Sequence, residues 1–445
     1  MNEETLDEAT KLLQELIQNK CVNPPGNEMK SIITIEKYLK SKGVKSKIYE
    51  SAPKRGNLIA RIKGTDNGPT LMFGPSHVDV VPVDDVKKWT YPPFSGKIAD
   101  DFIWGRGAID MLFIVAAQVV VFAHLNQEKF KPKGDLVLVI VSDEEMGGKN
   151  GTQWLIKNHP KEMKCDFAVT EMGGINLSAS KIGFMIGEKG ASWIRLSFTG
   201  TPQHGSVPYG SDNAIVKAAE ATKRLSEYKP PVTTKYLKYL TKGFGIKLIA
   251  RFMLSQKLLL PLFLKRILKT NPEMARSLAS LTSMSFSPNI IKGGSKTNVI
   301  AAHASIDLDV RTLPGQNFDY ITQHIHKALG KKLAKEVEIE VLTGEGIVSY
   351  GNESSFKSEF VTKIEKAIQK VEPQNEFIPL IYPGATDLRF LRELGVECCG
   401  FALMDPRTEF GELIKRIHGN DERISLITLD YTLVAYYHLA KEILE

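Results

Sequence analysis

Cysteine is scarce in this chain: four residues (Cys21, Cys165, Cys398 and Cys399) among 445, none in a Cys-x-x-Cys pair. That excludes a disulfide-built secreted scaffold and a thiolate zinc site, and favours a reducing compartment. A basic, apolar leader is also missing. The chain starts Met1-Asn2-Glu3-Glu4-Thr5 and runs straight into an amphipathic pattern, so no secretory signal is expected. No uninterrupted apolar run reaches the roughly 18 residues of a membrane-spanning helix, and there is no internal repeat or low-complexity tract. Charge of one sign is only mildly in excess, with 58 Lys and Arg against 51 Asp and Glu for a net +7. No nucleic-acid partner is expected from so weak a bias. What is present, 42% hydrophobic and 24% charged residues, is ordinary globular composition. The expectation is a soluble, cytoplasmic protein of two or three domains, at about 150 residues each.

The first residues read as helix, turn, helix, with Leu6, Leu12, Leu13, Leu16 and Ile17 at helical spacing and Asn23-Pro24-Pro25-Gly26-Asn27 as a turn. Strand-like runs follow at Asn57–Ile62, Thr70–Phe73, Asp135–Val141 and Phe167–Thr170, with a buried helix over Ile114–His124. Continuous apolar strands alternating with helices predict an α/β sheet covered on both faces. Near Gly187 the texture changes: Ala191–Phe198 and Thr297–Arg311 alternate apolar and polar residues, as half-exposed antiparallel strands do. This predicts an inserted domain, after which Ile378–Ile381 and Glu397–Leu403 resume the main sheet and Thr428–Leu444 closes it. Ile246–Leu268 mixes leucine and isoleucine with Lys247, Arg251, Lys257, Lys265 and Arg266. It reads either as a basic amphipathic surface for weak contact with a membrane, or as an extra helical hairpin, broken at Pro261, packed on the inserted domain.

Chemistry-bearing residues fall at the ends of predicted strands. Gly74-Pro75-Ser76-His77-Val78-Asp79 places His77 and Asp79 where α/β proteins bind ligands; His77 could bind a metal while Asp79 bonds its other ring nitrogen. Gly105-Arg106-Gly107-Ala108-Ile109-Asp110 makes Asp110 either a helix cap or a carboxylate bridging two ions. Asp143-Glu144-Glu145 ends a buried strand, where three acids repel unless a cation or protons neutralise them. One can ligate while its neighbour serves as general base. Glu171 and His418 complete a set of two histidines and three carboxylates, suited to two zinc ions or similar divalent metals. His204, in Thr201-Pro202-Gln203-His204-Gly205, reads as an oxyanion donor or as a surface turn residue.

In order, SHVDVVP, WTYPPFSGKIADDFIWGRGAID, SDEEMGG, TEMGG, GTPQHGSVP, TNVIAAHASIDLDVR, YPGATDLRFLRE and IHGNDERIS resemble the motifs of the M20 metallopeptidases. That group holds carboxypeptidases, aminoacylases, acetylornithine deacetylases and succinyl-diaminopimelate desuccinylases, and the second motif looks most like its carboxypeptidase-S-like and N-acyl-amino-acid hydrolase branch. The resemblance implies an α/β catalytic domain with a central mixed sheet and an inserted α+β lid that serves dimerisation. Its expected divisions are residues 1–187, 188–313 (with an extra helical segment, 235–285) and 314–445. It implies His77, Asp110, Glu145, Glu171 and His418 as ligands of two divalent ions, zinc foremost, with cobalt or manganese as alternatives. Asp110 would bridge them, Glu144 would be the base and Asp79 the acid behind His77. His204 would reach a partner subunit's site in a homodimer, and Asn298, Arg311 and Gly384 would contact substrate. Leu112, Met172 and Ser76 depart from the family pattern without removing a ligand. The implied activity is hydrolysis of an amide bond, peptide or N-acyl, in a small carboxylate-bearing substrate. The alternatives are a silent, binding-only relative and a membrane-surface protein acting through 246–268.

Overall fold

A computed structural model describes residues 1–270, 272–342 and 349–445. Its centre is a six-stranded mixed sheet, in spatial order Ser46–Ala52, Arg55–Ile62, Leu136–Val141, Leu71–His77, Phe167–Thr170 and Glu397–Gly400. Arg55–Ile62 runs antiparallel to Leu136–Val141, and the strands beyond it are parallel. The run LVLVIV is apolar throughout because both faces are covered. Leu136, Leu138 and Ile140 join the core beneath the helices Glu3–Asn19, Phe113–Gln127 and Leu426–Leu444, while Val137, Val139 and Val141 face Leu155, Leu388 and Leu391 on the other side. The helical span Ala108–Gln127 has a mean hydropathy of 2.1, enough to cross a membrane by length and composition, but 94% of it is buried inside the molecule. It is the core helix of the domain.

Glu397–Gly400 enters the main sheet as expected, but Glu376–Tyr382 does not. It pairs with Lys181–Glu188 in a neighbouring sheet completed by Asn352–Glu353 and Gly173–Ser178. An apolar run shows that a strand is buried, not which strand lies beside it. The second body is a four-stranded sheet, ordered Ser285–Gly293, His303–Thr312, Gly190–Thr199 and Val337–Val341. The helices Ala214–Glu227 and Phe318–Glu336 share its apolar core. The lid's structure therefore runs past the expected boundary at 313, to Val341, since Val337–Val341 pairs directly with Gly190–Thr199. The helical segment departs from expectation too. Leu237, Leu240, Leu254, Leu260 and Leu278 pack into the core of the catalytic body, not that of the lid.

A small three-stranded ribbon of Lys97–Ala99, Phe102–Trp104 and Arg423–Ser425 ties the late chain to the early chain. It sets the loop holding His418 and Glu422 against Gly105 and Arg106, with the Gly105 N–H donating to the Glu422 carbonyl at 2.9 Å.

Candidate metal centre

Three neighbouring parallel strands deliver their carboxyl ends to one spot. His77 closes Leu71–His77, Glu144 and Glu145 form a single turn after Leu136–Val141, and Glu171 follows Phe167–Thr170. Asp143 makes the sharp exit at φ 74°. Its carboxylate accepts from Arg55 at 2.6 Å and from the Asn150 N–H at 2.8 Å, which holds the left-handed corner. Asp110 does not cap a helix. Phe113–Gln127 begins beyond it, and the Asp110 backbone is non-helical.

Asp110 instead divides its carboxylate between two imidazoles. Oδ1 lies 3.2 Å from His77 Nε2, and Oδ2 lies 3.2 Å from His418 Nε2. On one side Glu171 approaches His77 Nε2 at 3.9 Å; on the other Glu145 lies 3.3 Å from His418 Nε2. The result is two half-sites, each of one histidine and one glutamate, sharing one aspartate. Donor atoms of His77, Asp110 and Glu145 lie within 4.8 Å of one another, as do those of His77, Glu144 and Glu171. Glu145 Oε1 is buried and has the His418 ring, at that 3.3 Å, as its neighbour. Burial, then the Asp110 charge, pushes the Glu171 carboxyl up to about 8. Burial, then Glu171, lifts Glu144 well above the carboxylate range. Hydrogen bonds to Asp110 and Glu145 raise His418 to about 10. Glutamates lifted above their usual range by burial and by one another's charge, facing imidazoles raised by the same acids, form a cluster short of positive charge. Its imidazole and carboxylate donors suit divalent cations.

The surroundings fix these groups in place. His77 Nδ1–H donates to the Asp79 main-chain carbonyl at 2.9 Å, whereas the Asp79 carboxylate stands 3.6 Å away. The expected carboxylate–histidine bond is thus a carbonyl–histidine bond. The buried carboxylate takes other work, accepting from Asn23 Nδ2 at 2.8 Å and from the Glu145 and Glu144 N–H groups at 3.2 and 3.3 Å. It ties the two glutamates to the His77 loop. Glu422, fully buried, accepts from Arg106 at 2.7 Å and from the N–H groups of Ile109 and Asp110 at 2.8 and 3.2 Å. Arg106 also donates to the His418 carbonyl at 3.1 Å. This pair orients both Asp110 and His418, and neither residue is singled out by the sequence reading. The available signal was an acid in the same loop as His418 and an arginine between two glycines.

Beside Glu144 lies Arg389, its guanidinium 3.9 Å from Glu144 Oε1 and 2.7 Å from the Thr386 carbonyl it donates to. Tyr382, half-buried, lies close enough to Asp110, Glu171 and Glu144 that burial of its hydroxyl, then their charges, raise its phenol well above the usual value. Gly384 sits against that ring, where an added Cβ would lie 2.6 Å from it. Of the expected substrate contacts, Gly384 is thus beside the acidic cluster.

Residues 75–442 match Peptidase family M20/M25/M40. The chain belongs to that family. It is a hydrolase of amide or peptide bonds in the M20 class. It is 29% identical over 400 residues to a carboxypeptidase S-like protein of Dictyostelium discoideum, spanning 86% of this chain and 74% of the relative. It is 25% identical over 416 residues to an N-fatty-acyl-amino acid synthase/hydrolase of Danio rerio, spanning 88% and 77%. The crystal structure of an M20 family metallo-carboxypeptidase from Sulfolobus solfataricus superposes with a TM-score of 0.71 at 19% identity, covering 99% of each chain.

In this M20 chain the lid residues stand apart from the cluster. His204 is exposed, and its ring bonds to Ser206 of its own turn at 2.8 Å. Asn298, exposed, lies next to it, with its carbonyl accepting from the Gly205 N–H at 2.8 Å. Arg311 grips Asp309 in a fork at 2.7 and 2.9 Å. None of the three makes a recorded contact with His77, Asp110, Glu144, Glu145, Glu171 or His418.

Proposed function

We propose that this M20 hydrolase is a dinuclear, zinc-dependent enzyme that splits the amide bond of an N-acyl amino acid or short peptide bearing a free carboxylate, and that it works as a homodimer in the cytoplasm. The observation that carries the reading is the even division of the Asp110 carboxylate between His77 and His418. His77 and Glu171 would hold one ion, His418 and Glu145 the other, with Asp110 shared. Zinc suits these donors best, and cobalt or manganese accept the same set. Bound there, the ions supply Lewis-acid polarisation of the scissile carbonyl and a lowered pKa for the attacking water.

The protein's own groups supply the rest. Glu144, half-buried and lifted by burial and the neighbouring Glu171 charge, takes a proton from the water and passes it to the leaving amine nitrogen. Asp79 holds the Glu144–Glu145 turn at its height above His77. Tyr382 and Gly384 wall the side from which substrate enters. Arg311 anchors the substrate carboxylate by exchanging its fork with Asp309 for an equivalent one. His204, with Asn298 beside it, donates to the developing oxyanion of the partner subunit's site.

Dimerisation through the lid is supported by its surface. Ser285–Gly293 is an edge strand, and Ile290, Ile291, Ile215 and Val216 are exposed along it and the adjoining helix. With the five donors and Glu144 assembled together, turnover is favoured over a silent binding role. The test is hydrolysis of a panel in which the acyl group and the amino-acid carboxylate are varied separately, on zinc-loaded protein and on protein stripped with a chelator. Cleavage that needs metal and needs the carboxylate is expected. Metal-independent cleavage, or none across the panel in fully loaded protein, would overturn the reading.

A further inference from the structure

Between Glu227 and Glu273 the chain contains ten lysines and arginines and not one acid. That excess is larger than the net charge of the whole protein, +7, so everything outside this stretch is net acidic. Lys235 and Lys242 pair with Glu353 and Glu376 of the body beneath and fasten the segment down. Further out, Lys247, Arg251, Lys257, Lys265, Arg266 and Lys269 have no carboxylate partner among the described residues.

Apolar side chains stand among these cations. The helices Leu248–Ser255 and Leu260–Thr270 are held by one stripe: Leu254 and Leu260 are buried, and Phe263, Leu264 and Ile267 are half covered against the core. A surface helix normally presents a polar face opposite that stripe. These present a second apolar one. Leu248, Ile249 and Phe252 on the first helix and Leu262 on the second are exposed, and Leu258, in the connection between them, is 91% exposed. Contiguous apolar surface of this kind, rimmed by charge, marks a contact site.

We propose that this helical hairpin is an interfacial anchor that docks the protein on a bilayer containing anionic lipid. Leu258 and its neighbours enter the boundary between headgroups and acyl chains, and the six outer cations meet the lipid anions. The charge selects this occupant. A second copy docking on the same face would lay cations against cations, because a two-fold interface repeats one patch on both sides. A nucleic acid would meet aliphatic side chains that cannot stack on bases. The inference is independent of the reaction proposed above, and its test does not measure hydrolysis.

The full chain is co-sedimented with phosphatidylcholine vesicles, with and without phosphatidylglycerol. Binding is expected only with phosphatidylglycerol, declining as salt screens the cations. Each neutralised cation near an anionic surface is worth on the order of fivefold in partitioning. The triple variant Lys257→Gln, Lys265→Gln, Arg266→Gln should therefore bind about a hundredfold more weakly, and Leu258→Ser with Leu262→Ser should release the fraction that survives high salt. All five positions are exposed, so the thermal midpoints should match that of the parent. Parent protein remaining in the supernatant with phosphatidylglycerol vesicles overturns the proposal, as does sedimentation of the variants equal to the parent's. A dimer that the leucine variants dissociate in sedimentation equilibrium would also overturn it, by assigning the face to a second copy.

Discussion

At the scale of single residues, Glu144 and Glu145 are chain neighbours with different surroundings. Glu145 lies 3.3 Å from His418, while Glu144 stands 3.9 Å from Arg389 and faces His77 and Glu171. Glu144→Gln should therefore bind its metal like the parent yet lose about 10²–10⁴-fold in kcat, the usual contribution of a general base; elemental analysis beside steady-state kinetics checks both halves. Glu422 touches no substrate and offers no ligand atom, but it holds the Asp110 N–H and Arg106 together. Glu422→Gln should weaken metal affinity by about 10–100-fold, as loss of a group supporting a ligand does, measured by competition with a chromophoric chelator. The cluster's acids were legible because acids after a buried apolar strand contradict their setting unless something neutralises them. Glu422 was not. In Gly419-Asn420-Asp421-Glu422 an acid looks like any loop acid, and only the fold shows that it is buried against an arginine 316 positions earlier. For the same reason the sequence suggested Asp79 behind His77 but could not show that its main-chain carbonyl, not its carboxylate, takes the ring N–H.

At the scale of elements, the passage from Lys181–Glu188 into the lid strand Gly190–Thr199 turns on Lys189. Its ammonium is buried and donates to the carbonyls of Ser280 and Ser283, at the end of the helical segment, at 2.7 and 3.0 Å. Burial, then the Arg311 charge, draws its pKa down from 10.5 to about 8. Between those two values the unfolded chain holds the proton and the folded chain has released it, so the folded form gains stability as pH rises through the window. The parent should thus gain stability relative to Lys189→Met between pH 8 and 10.5, and the difference should be flat below pH 8. Denaturant titrations at several pH values test this, and an opposite slope would rule it out. Gly107, at φ 84°, makes the turn into Asp110; an added Cβ would strike Val80 and Leu112, so Gly107→Ala should lower the thermal midpoint. Element types were readable from periodicity, whereas partners were not. Val337–Val341 joins the lid and Glu376–Tyr382 avoids the main sheet because pairing is decided by register and twist across distant segments.

At the scale of the molecule, the placement of His204 makes a prediction about pairs of subunits. If each site borrows the partner's histidine, His204→Ala and Glu144→Ala proteins are each inactive alone, yet mixing them restores activity. Random exchange makes half the dimers mixed, each with one intact site, so roughly a quarter of parental activity should return. No recovery after verified exchange would place His204 outside the partner's site. The two-body plan itself was readable from the change of strand texture near Gly187. The lid's far boundary was not, because Phe318–Glu336 has the same amphipathic pattern whichever sheet it covers.

The ribbon joining Phe102–Trp104 to Arg423–Ser425 has a consequence in time. Asp110 and the Glu422 that steadies it are 312 positions apart. At the 5–20 residues per second of ribosomal synthesis, roughly 15 to 60 s separate their emergence. For most of that interval the nascent chain carries His77, Asp110, Glu145 and Glu171 without His418. The second half-site is assembled last, so a peptide-cleaving centre cannot be complete until His418 has been made.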